Sequence, residues 1–77
     1  MRTRIELTQT ARRHAAMHGI EVVLRALALD ARAQVGDVVE LDLPAGRNAF
    51  VIRARRWVVV ADGEQTLVFE LDHPPRH

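Results

Sequence analysis

Apolar and polar residues alternate with period two through most of the chain, the spacing of a strand with one face in and one face out. "TRIELT" (3–8) sets Ile5 and Leu7 against Arg4, Glu6 and Thr8. "VGDVVELDL" opens on a Gly36-Asp37 turn and then alternates Val39, Leu41 and Leu43 with Val38, Glu40 and Asp42. After a turn-rich "PAGRN" (44–48) come a long apolar run from Ala49 to Ala61, a "DGE" turn, and "TLVFELD" (66–72). Pro74 and Pro75 end the sheet, because proline donates nothing to a ladder. "IEVVLRALAL" (20–29) fits a strand with Ile20, Val22 and Leu24 on one face. It also fits a helix gathering Ile20, Val23, Leu24 and Leu27, and its β-branched start favours the strand. In "QTARRHAAMHG" (9–19), alanine, arginine and methionine favour a short helix at 9–18, with Thr8 or Thr10 as cap and Gly19 as stop. The expected fold is mainly β: about five antiparallel strands in one 77-residue domain, forming a bent sheet or small SH3-like barrel, with that short N-terminal helix.

Register decides which face each arginine of "FVIRARRWVVV" (50–60) occupies. A four-residue loop at 44–47 sets Leu41 opposite Phe50 and Val39 opposite Ile52. A three-residue loop at 62–64 sets Trp57 opposite Phe69 and Val59 opposite Leu67, all inward. Phe50 and Ile52 then differ in parity from Trp57 and Val59, and a β-bulge at Arg55-Arg56 restores it. The arginines point outward, between strands that show Glu40, Asp42, Glu70 and Asp72, and cross-strand pairing explains them better than phosphate contact. The same registers leave Val38, Val58, Val60 and Val68 on the outer face. A valine cluster there asks for a cover, from a second copy, another protein or the N-terminal segment.

Composition narrows the function. The chain has no cysteine, serine or tyrosine, which removes disulfides, thiolate metal sites and serine or cysteine nucleophiles. There is no Gly-rich phosphate loop, and no acidic pair stands out as a general acid and base. Enzymatic activity and cofactors are not expected. No leader or membrane span is expected either, which points to the cytoplasm. All eleven basic residues are arginine, which we read as the codon bias of a GC-rich bacterial genome. Net charge is +1. Residues 1–36 hold six arginines against three acids (+3), and residues 37–77 five against seven (−2).

His14 and His18 stand four apart, a possible two-ligand metal face on a helix, while prolines deny that geometry to His73 and His77. Arg2, Arg4, Arg12 and Arg13 are the candidate anion contacts. Phe50, Trp57 and Phe69 are expected in the core and not on a nucleic-acid stacking surface. The leading expectation is a non-enzymatic protein-interaction or self-association module using Val38, Val58, Val60 and Val68. The alternative is a small nucleic-acid-binding or regulatory domain using the N-terminal arginines.

Overall fold

The structure, a computed structural model, describes residues 2–75. Four strands form one curled, half-barrel sheet: β1 (Arg2–Leu7), β2 (Val38–Leu43), β3 (Gly46–Val59) and β4 (Gln65–Asp72). Their order is β1-β4-β3-β2, with β1 parallel to β4 and the other pairs antiparallel. The mainly β architecture thus agrees with the sequence pattern. Among the described residues the strands number four, and the first enters in parallel.

Two short helices fill the concave side. In α1 (Gln9–Met17), Thr8 is the cap, its hydroxyl oxygen accepting from the Ala11 amide at 3.2 Å. The same hydroxyl donates to Asp72 Oδ1 at 2.7 Å, tying the start of α1 to the end of β4. Gly19, at φ 67°, takes the left-handed turn that lets the chain reverse after α1. Segment 20–29, expected to be a strand, instead winds one turn of helix, α2 (Glu21–Arg25). Ile20 and Leu24 are buried four residues apart, as helical spacing requires, whereas Val22, expected inward, is 82% exposed.

The core joins Ile5 and Leu7 of β1, Ala11 and Ala15 of α1, Ile20, Leu24, Leu41, Phe50, Ile52, and Leu67, Phe69 and Leu71 of β4. Leu27, Leu29, Ala31 and Ala33 of the irregular segment after α2 pack against its margin.

Both hairpin registers differ from expectation by two residues, so the inward parity survives. Leu43 pairs with Gly46 and Val39 with Phe50, closing a tighter turn over Pro44 and Ala45; Gly46, at φ 138°, supplies a conformation other residues rarely adopt. At the other end Trp57 pairs with Leu67 and Val59 with Gln65. The wider loop is held by bonds from the Val60 amide to Glu64 O at 3.1 Å and from the Glu64 amide to Asp62 Oδ1 at 2.9 Å. The parity-restoring bulge is present but falls between Ile52 and Ala54, not at Arg55-Arg56. That shift turns Arg55 to the concave side, where its guanidinium donates to Ala31 O at 2.8 Å.

Candidate functional site: the uncovered end of the sheet

The other arginines of the long strand meet acids, Arg53 on the neighbouring strand as expected, Arg56 instead on β1, one strand beyond it. Arg53 lies 2.6 Å from Glu70, and Arg56 lies 2.8 Å from Glu6. Arg4 also reaches Glu6, at 3.2 Å. Arg4 on β1 and Arg56 on β3 are both register partners of Val68 on β4. Arg4 meets Glu6 along β1, Arg56 crosses β4 to reach the same carboxylate, and Val68 between the two arginines is 0% exposed. Val68 therefore lies beneath an Arg-Glu-Arg clasp on the convex face and is not available to a partner, contrary to expectation. The Arg56 hydrogen bond holds the Glu6 carboxyl below its usual range against the opposing effect of burial, and the Arg56 and Arg4 charges and the Arg4 hydrogen bond add to the lowering.

The remaining valines do not make one patch. Val38 is exposed on the edge strand β2, opposite Val51. Val58 is half-buried opposite Thr66, seven residues farther along β3, or about 23 Å at ~3.3 Å per residue. Val60 is exposed where β3 runs into the hairpin loop. The N-terminal arginines are also divided. Arg2 and Arg4 belong to β1 and pair with Glu64 and Glu6, while Arg12 and Arg13 project from α1 across the sheet.

The histidines gather in an unexpected place. His14 stacks on His73 with ring centroids 3.7 Å apart, and His18 lies 4.3 Å from His14. The His14 Nε2–H donates to Asn48 Oδ1 at 2.9 Å, and the His73 Nδ1–H donates to Ala49 O at 3.1 Å. Stacked rings hold their lone pairs in parallel planes and do not aim them at a common point. Among the described residues no group of three or more ligating side chains could hold a metal ion. His77 lies outside the described residues.

The concave face carries the clearest unpartnered feature. Phe50, Ile52, Phe69 and Leu71 share one core with the two helices, and Trp57 and Val59 lie outside it. Trp57 and Val59, two apart on β3, point to the concave side as their parity requires, but they remain 47% and 61% exposed. The expectation of core burial fails for both, which lie outside the buried core among the described residues. The backbone beside them is equally open. β2 pairs with β3 only as far as Val51, and the last bonds on that side join Ile52 to Gly36 and Asp37. The Val60 amide faces β4, so strand alternation turns the amides and carbonyls of Arg55, Trp57 and Val59 to the opposite edge. Among the described residues no backbone bond meets them there.

The sequence contains the signal for this site. The Trp57/Val59 parity is legible, but the absence of a cover depends on how far the helices reach. No helix among the described residues is long and apolar enough to cross a membrane. No family model, curated protein or solved structure matches the chain.

Proposed function

We propose that this chain is a non-enzymatic self-association module whose contact surface is the uncovered end of β3. The observation that carries this reading is that Trp57 and Val59 stand side by side on one face, 47% and 61% exposed, along a strand edge that no backbone bond meets among the described residues. Tryptophan on a surface is the residue type most often found at the energetic centre of an interface, and an open, apolar strand edge pairs readily with another strand. A chain this small also buries a modest share of its surface, so a second copy adds core that one copy lacks. The surface moves from the Val38, Val58, Val60 and Val68 set to Trp57, Val58, Val59 and Val60, because Val68 is sealed and Val38 is distant.

The test is molar mass by light scattering for the native chain and for Trp57→Ser, from micromolar to millimolar. The native chain should exceed 8.7 kDa with rising concentration, and the variant should stay at one chain with an unchanged far-UV spectrum. A native chain of single-chain mass throughout the range would refute the reading.

A further inference from the structure

We infer that two copies continue one sheet across a two-fold axis, pairing the open edges of β3 antiparallel about Val58. The inference rests on the self-association reading and adds which atoms meet. A closed pair of identical strands in one sheet must run antiparallel, since a two-fold axis normal to the sheet reverses the strand. The outward amides belong to Arg55, Trp57 and Val59, so these residues must pair among themselves. That leaves few registers near the middle of the open edge.

Centring on Arg56 sets that arginine against its own copy, a like-charge pair. Centring on Trp57 sets each Arg55 opposite the partner's Val59. Centring on Val58 sets Val58 against Val58 of the partner subunit, and Trp57 against the partner's Val59 twice over, with Arg56 beside the partner's Val60. This register joins apolar side chains on both faces and forms about four main-chain hydrogen bonds through Trp57 and Val59. A parallel arrangement would set arginine beside arginine. The bulge beside Arg53 and the Gly36–Asp37 bonds to Ile52 stop the paired region at its inner end.

Two variants separate this geometry from self-association in general. Val58→Cys introduces the chain's first cysteine, and opposed α-carbons in a non-hydrogen-bonded pair lie about 4.5 Å apart, within disulfide reach. Air or oxidised glutathione should convert it to a covalent dimer, while Val38→Cys, on the far edge of the sheet, should stay largely uncrosslinked. Val59→Pro removes one outward amide without touching a β4 bond. It should keep the far-UV spectrum and lose the dimer, giving the single-chain mass. A native chain that self-associates while Val59→Pro still does so and Val58→Cys fails to crosslink would overturn the strand pairing and leave the broader reading standing. A native chain that never exceeds one chain's mass would overturn both.

Discussion

Replacing Glu6 with glutamine removes the charge at the centre of the convex clasp. Two guanidinium contacts depend on it, Arg56 at 2.8 Å and Arg4 at 3.2 Å, with side chains between about one-third and one-half exposed. Ion pairs of that exposure contribute about 0.2–1 kcal/mol each. Glu6 also faces Glu70 across β1 and β4, and relief of that like-charge pair offsets part of the loss. The expected net cost of Glu6→Gln at neutral pH is therefore about 1 kcal/mol, or a midpoint fall of roughly 4–8 °C for a domain of this size.

The pH dependence carries a definite sign. Glu6 titrates lower when folded than its ordinary value of 4.5, so its contribution is complete above that value and is lost as pH falls through the folded one. Thermal melts followed by circular dichroism should show native chain and variant well separated at neutral pH and converging below pH 4.5. Other carboxyls titrate in both proteins, so the difference between them isolates Glu6. A double-mutant cycle with Arg56→Ala should show a coupling of the same order. Coincident melts at neutral pH, or a gap that persists unchanged into acid, would refute the clasp.

Three further expectations test other parts of the account. Thr8→Ala removes the α1 cap and the bond to Asp72, and urea denaturation should show a loss of about 1–2 kcal/mol. Val22→Glu should leave stability nearly unchanged while Leu24→Glu prevents folding, because one is exposed on α2 and the other is buried; equal damage from both would restore the strand reading of 20–29. In a titration with a labelled single-stranded oligonucleotide, the divided N-terminal arginines should give no tight, steeply salt-dependent binding.

Period-two patterning carried the sheet: Ile5, Leu7, Leu41, Phe50, Ile52, Leu67, Phe69 and Leu71 all point inward as the alternation demands. It also required a bulge in the long strand, since no other device reconciles Phe50 and Ile52 with Trp57 and Val59. Position was harder, because moving a register by two residues preserves every face. Arg56 lies over Val68 and Arg53 beside Glu70 in the observed register, and such preferences depend on β1, whose pairing with β4 spans nearly the whole chain. Segment 20–29 was ambiguous locally, and tertiary packing of Ile20 and Leu24 settled it. For the candidate site, alternation placed Trp57 on the concave side but assigned it to the core. Whether a concave residue is covered depends on where α2 and the segment behind it end, which a strand pattern does not encode.

Amide hydrogen exchange, read residue by residue by NMR at low and high protein concentration, tests the central claim most directly. The account predicts that the Trp57 and Val59 amides exchange rapidly in dilute solution and become protected together as concentration rises, while the Val58 amide, directed at β4, is protected throughout. Exchange at Trp57 and Val59 that remains equally fast at every concentration would contradict it.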